Sequence, residues 1–88
     1  DVLQENEWRG LYKEWSSTYE RIKTLEKEII PSLADVQAKS LVKYQLGEQD
    51  FYWWNTYQQQ YWEALQLHSD ALKAYYTQKS YFMYLKEK

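Results

Sequence analysis

Tyr44-Gln45-Leu46-Gly47-Glu48-Gln49-Asp50-Phe51 lies at the midpoint of an 88-residue chain and decides its fold. Long helical patterns flank it on both sides. Gly47 is one of two glycines, and a glycine just past a helical run takes the left-handed conformation that ends a helix without a Cβ clash. Asp50 is a good N-cap for a second helix, because its carboxylate can accept from a free N–H of the first turn. The stretch therefore predicts an all-α fold: a long antiparallel two-helix coiled-coil hairpin. Its first arm covers about residues 2–46, its tip 47–50 and its second arm about 50–86, all within one unit spanning 1–88.

The first arm carries Trp8, Trp15, Ile22, Ile29 and Val36 at a seven-residue spacing, with Leu11 and Leu25 three residues after members of that series and Tyr12, Tyr19 and Leu33 four after. That is a coiled-coil stripe. Gly10 within it costs about 1 kcal/mol relative to alanine. Pro31, the single proline, cannot donate to the carbonyl of Lys27, and such a residue kinks or breaks a helix at a cost of about 3 kcal/mol. Apolar residues continue across it at Ile29, Ile30, Leu33 and Val36. This favours a kinked continuous helix, with a break at Pro31 and a fresh start at Ser32 as the rival.

The second arm repeats Trp54, Tyr61, His68, Tyr75 and Phe82 every seven residues, with Tyr57, Ala64, Ala71 and Leu85 as partners and Gln78 interrupting them. Leu65 and Leu72 widen the stripe. Residues 51–62 hold seven aromatics and no charge, and the rings occur nearly all round the helix. A helix that is apolar on several sides is expected to be covered on several sides. Ten tyrosines and five tryptophans in a thin hairpin point the same way. Trp53, Trp62, Tyr76 and Met83 sit off the stripe and are the candidates for self-association, a four-helix dimer being the simplest form.

The formal charge of −2 and a pI near 5.4 give no footprint for nucleic acid. No cysteine is present, so there is no disulfide frame and no thiol chemistry. No run approaches the roughly 20 apolar residues of a spanning helix. The chain opens on Asp1 without an initiator Met or a secretion leader, which fits a mature product or a fragment of a larger protein. No catalytic constellation or cofactor motif occurs. His68 is the single histidine, and one histidine beside Asp70 is not a metal-ligand set, so packing or hydrogen bonding is its expected role. The serines lack a base placed by motif. Glu5, Glu7, Glu14, Glu20, Glu26 and Glu28 alternate with Arg9, Lys13, Arg21, Lys23 and Lys27, as on a solvated helix face. These observations argue against an enzyme.

From Tyr19 to Leu85, about three quarters of the chain, the sequence resembles the C-terminal periplasmic hairpin of the TolC-like outer-membrane efflux factors. The resemblance rests on Tyr44-x-x-Gly47, the polar tip Glu48-Gln49-Asp50, Phe51 after it, then Gln58 and Glu63-Ala64. It also rests on Ile29-Ile30-Pro31, whose proline stands sixteen residues ahead of the glycine, and on the helix end rich in Tyr and Leu at Ala71-Leu72, Tyr75-Tyr76 and Tyr84-Leu85. It implies a structural segment of a periplasmic duct, trimeric in the parent protein, in the periplasm and outer membrane of a Gram-negative bacterium. Gly47, Glu48, Gln49 and Asp50 would then dock a periplasmic adaptor, with an inner-membrane pump beyond it. Acidic residues that help close the tunnel in some members are replaced here by Trp53 and Thr56; an aromatic constriction at Trp53 or Trp54 would take their place. The membrane-crossing strands of that family are absent. The alternative is a free-standing helical interaction module of immunity or scaffold type.

Overall fold

A computed structural model describes residues 2–87, which form a hairpin of 66 × 16 × 15 Å with no strand among them. The first arm comprises α1 (Val2–Thr24), a π-helical turn (Leu25–Ile29) and α2 (Ile30–Gln45). The second arm is α3 (Phe51–Glu87), 37 residues without interruption. The length agrees with the rise of about 1.5 Å per residue of a helix. All peptide bonds described are trans, and the chain reverses at the tip rather than at Pro31.

Pro31 does not break the first arm; it is the second residue of α2 and follows directly on the π-helical turn. In the turn that precedes it, the Ile30 N–H donates to the carbonyl of Leu25, five residues back. A π turn holds one residue more than an α turn over the same rise and occurs mostly as a single bulge inside an α-helix. The missing N–H and the ring of a proline are accommodated where the helix has already widened.

The extra residue changes which side chains face the partner. Up to the start of the π turn the seam positions are Trp8, Leu11, Trp15, Thr18, Ile22 and Leu25, all half-buried or buried, with Lys23 half-buried beside them. Past the π turn the seam positions are Ile30, Leu33, Gln37 and Ser40, with Ala34 half-buried beside Leu33, followed by Tyr44, whose ring stacks on Trp54. The alternation of three and four residues is preserved except for one step of five, from Leu25 to Ile30. Ile29 and Val36, expected on the inner stripe from a strict seven-residue repeat, are therefore turned to the flank, 40% and 39% exposed. The sequence repeat assumed one residue per α-helical step throughout, and the π turn violates that assumption once.

The second arm keeps its repeat from end to end. Tyr57, Ala64, Ala71, Gln78 and Leu85 are half-buried or buried, as are Trp54, Tyr61, His68, Tyr75 and Phe82, with Leu65 and Leu72 beside them. Ala64 and Ala71 allow close approach in the middle of the seam, where Ile22 and Leu25 are also buried. Large rings fill the wider end. Phe82 lies 4.4 Å from Trp8 and 5.4 Å from Trp15 between ring centroids, and Tyr75 lies 5.5 Å from Trp15 and 6.2 Å from Tyr19. Offset and tilted aromatic pairs of this kind contribute about 0.5–1.5 kcal/mol each beyond the area they bury.

Candidate functional site

The tip is built by a helix end and a helix start placed back to back. Gly47 has φ 75°, the single positive φ among the described residues. Its N–H donates to Tyr44 O at 3.1 Å and the Glu48 N–H donates to Lys43 O at 2.8 Å. This pair is a Schellman closure, which satisfies carbonyls that the last turn leaves free. Three residues later, Asp50 Oδ1 accepts from the Trp53 N–H at 3.3 Å, the capping bond expected at the start of α3.

Gln49 ties the tip to the arm. Its side-chain oxygen accepts from the Ser40 hydroxyl, and Ser40 is the most buried polar residue described, 2% exposed. Small size lets α2 approach α3 closely at this level, and the bond satisfies the hydroxyl that is buried as a result. The serine could not have been singled out from sequence, because its burial depends on the phase shift at the π turn.

Rings cap the seam just below the tip. Trp54 stacks on Tyr44 at 5.7 Å and 14°, and Phe51 packs against both. Trp54 is thereby committed to the hairpin itself. Trp53 is 47% exposed and contacts Tyr52 and Tyr57 on its own helix. Thr56 folds its hydroxyl back onto Tyr52 O at 2.8 Å. Around this cluster Leu46, Phe51, Tyr52 and Trp53 are all exposed, so the tip presents an apolar surface edged by Glu48 and Asp50.

A polar link crosses the arms at mid-length. His68 Nε2 lies 2.9 Å from Glu26 Oε1. The hydrogen bond with His68 is the main cause that holds the Glu26 carboxyl below the usual carboxylate range, aided by the positive charges of Lys23 and Lys27 and opposed by partial desolvation. His68 is thus a hydrogen-bonded seam residue, the role expected for it, and no group of three metal-ligating side chains occurs among the described residues. Asp70 instead accepts from Gln66 Nε2 at 3.1 Å on its own helix.

The rings off the seam remain in water within the single chain. Trp62 is 60% exposed, and Tyr76 and Met83 are exposed to about the same degree. These three share one face of α3, since they are separated by multiples of seven residues. Trp53 precedes Trp62 by nine positions, about half a turn around the helix, and belongs to the other flank. The four candidates for self-association therefore form a row of three on one side and a single ring on the other. The coverage on several sides expected for residues 51–62 is not supplied by the chain itself. No described helix is long and apolar enough to cross a membrane.

No protein-family model matches this chain, and no curated protein or solved structure does.

Proposed function

We propose that the hairpin is a wall segment of a periplasmic efflux duct, packed side by side with further hairpins and docking an adaptor through its tip. The observation that carries this reading is the placement of Trp53, Trp62, Tyr76 and Met83 outside the seam, on flanks the chain leaves uncovered. Large apolar side chains exposed in a row along one flank, as at Trp62, Tyr76 and Met83, are what a contact with another macromolecule would cover. In a duct wall, each flank meets a neighbouring hairpin. The capped, apolar tip supplies a rigid end for a partner, with Gly47, Glu48, Gln49 and Asp50 as the turn. The ordered resemblance of Ile29-Ile30-Pro31, Tyr44-x-x-Gly47 and the helix that follows to the TolC-like outer-membrane factors supports the same reading. By that resemblance the parent is trimeric, its partners are a periplasmic adaptor and an inner-membrane pump, and its place is the periplasm and outer membrane.

The reading is tested in two steps. The full-length reading frame should contain a second copy of the hairpin pattern and segments that alternate like membrane strands. A frame that starts near Asp1 and stops after Lys88 would overturn the duct. In solution, sedimentation over a concentration series should show association of the chain. A monomer at every concentration would remove lateral packing altogether.

A second reading, a free-standing interaction module, draws on a different observation. The seam, the Schellman closure and the Asp50 cap are all completed within one chain, so the hairpin has the local signals to form without a surrounding tube. The same reading-frame test separates the two.

A further inference from the structure

A ring-lined recess opens on one flank of the seam, where Tyr12, Trp15, Ser16, Tyr19 and Tyr75 enclose about 240 Å³. Trp15 and Tyr75 are half-buried, 5.5 Å apart between ring centroids, and form its floor. Tyr12 and Tyr19 are exposed, stand about two turns apart on α1 and form its sides. Ser16 lies between them, a turn from each, and its small side chain leaves the space open. Sites for drug-sized ligands run from roughly 300 Å³ upward, so this recess suits a ligand of one or two rings. The opposite flank offers neither a stacking face nor a single sign of charge, because Lys13, Glu14 and Arg21 line its groove and no ring does.

Charge selects the kind of ligand. No charged side chain lines the recess itself, and cations stand around it. Lys23 Nζ is 5.3 Å from the centroid of the Tyr19 ring. Arg9 comes three residues before Tyr12 and Lys79 four after Tyr75, each a turn from the ring on the same side of its helix. The ion pairs among the described residues, Lys39–Asp35 and His68–Glu26, include none of these three cations. Glu20 is the carboxylate nearest in register, a turn from Ser16 and Lys23, and Glu5 lies a turn beyond Arg9, so the rim keeps a positive balance. A cationic ligand would meet the ammonium that Tyr19 already holds; an anionic one would meet unpaired opposite charge.

We infer that the recess binds a small planar organic anion, an aromatic carboxylate in its simplest form. Its ring body lies against Tyr12, Trp15 and Tyr75, and its charged group turns toward Lys23, Arg9 and Lys79. Ring contacts hold the body, and the rim selects the sign of charge. Every group involved belongs to one chain, so the inference goes beyond the wall-segment reading and does not depend on it. A neighbour packed on this flank would compete for the same recess.

Three probes with one body and different charge test the site: naphthoate, naphthalenemethanol and naphthylmethylammonium, each titrated into the full chain and followed by ligand-observed NMR. Naphthoate is expected to bind with a Kd of about 0.1–1 mM, about 3- to 10-fold more tightly than the alcohol, with the ammonium weakest. Lys23→Gln should weaken naphthoate about 2- to 5-fold and leave the alcohol unchanged. Tyr12→Ser, at an exposed position, should weaken all three probes, with circular dichroism showing that the helices remain. An ammonium bound as tightly as the carboxylate, naphthoate binding that Lys23→Gln leaves unchanged, or no binding of any probe overturns the inference. Lateral packing is read separately by sedimentation, so the wall-segment reading survives each of those results.

Discussion

Glu26 and His68, 42 residues apart in sequence, meet at 2.9 Å and join the two arms just where the first arm enters its π turn. Because the Glu26 carboxyl is held below its usual range in the folded chain, it contributes stability above the unfolded value, about 4.3 for an unperturbed glutamate. That contribution is lost as the pH falls through the lower folded value. Melting followed by circular dichroism between neutral and strongly acidic pH should show a smaller acid-induced fall in Tm for Glu26→Gln than for the parent chain. Equal slopes would mean that the link contributes nothing in solution.

Gly47 offers a test of backbone strain without steric interference. A Cβ at this position meets no atom within 4 Å, so any cost of substitution comes from the positive φ itself. Gly47→Ala should lower stability by about 1–2 kcal/mol, Gly47→Val by more, and Gly47→Asn by less than either. Chemical denaturation of the three variants checks the order. Three unchanged midpoints would place the reversal elsewhere.

The Ser40–Gln49 bond predicts two different failures at one site. Ser40→Ala should cost about 1 kcal/mol, by removing a hydrogen bond from a buried position. Ser40→Val should cost about 1–3 kcal/mol, because a larger, branched side chain must enter the place where α2 approaches α3. Denaturant midpoints distinguish them; a valine that stabilises would show that the approach is looser than the burial of Ser40 indicates.

The π turn and Pro31 should be energetically coupled. Deleting Lys27, an exposed residue of the turn, removes the extra residue and forces the proline into regular α-helix, at a cost of about 3 kcal/mol. The same deletion combined with Pro31→Ala should recover most of that loss, since the seam phase on both sides is kept. A double-mutant cycle measures the coupling. Additive effects would mean that the turn exists for some reason other than the proline.

The hairpin was readable in the sequence because its punctuation is chemically specific. Gly47 followed by Asp50 can end one helix and start another, and few alternatives fit between two long apolar repeats. The second arm was readable residue by residue, since its seven-residue repeat runs unbroken from Trp54 to Phe82. The upper half of the first arm was not. Pro31 announced a disturbance, but a kink, a break and a widened turn all satisfy the missing N–H, and only the last shifts the phase by one residue. A strict seven-residue repeat puts Ile29 and Val36 inside for that reason and gives no sign of the burial of Ser40. The rings around Trp53 and Trp62 showed an excess of apolar surface. The division of that surface between two unlike flanks required both arms in place.

The order of contacts along the seam carries a kinetic consequence. Tyr44 meets Trp54, Glu26 meets His68, Trp15 meets Tyr75 and Trp8 meets Phe82, so each contact encloses the one before it. Every new contact closes only a short additional stretch of chain once its inner neighbour has formed, and the entropy lost per step stays small. The chain is thus laid out as a zipper whose first tooth is the turn at Gly47 and whose last is the ring pair at Trp8 and Phe82. On this layout the ring pair at Trp8 and Phe82, farthest from the turn, is expected to open before the buried middle of the seam at Ile22, Leu25, Ala64 and Ala71.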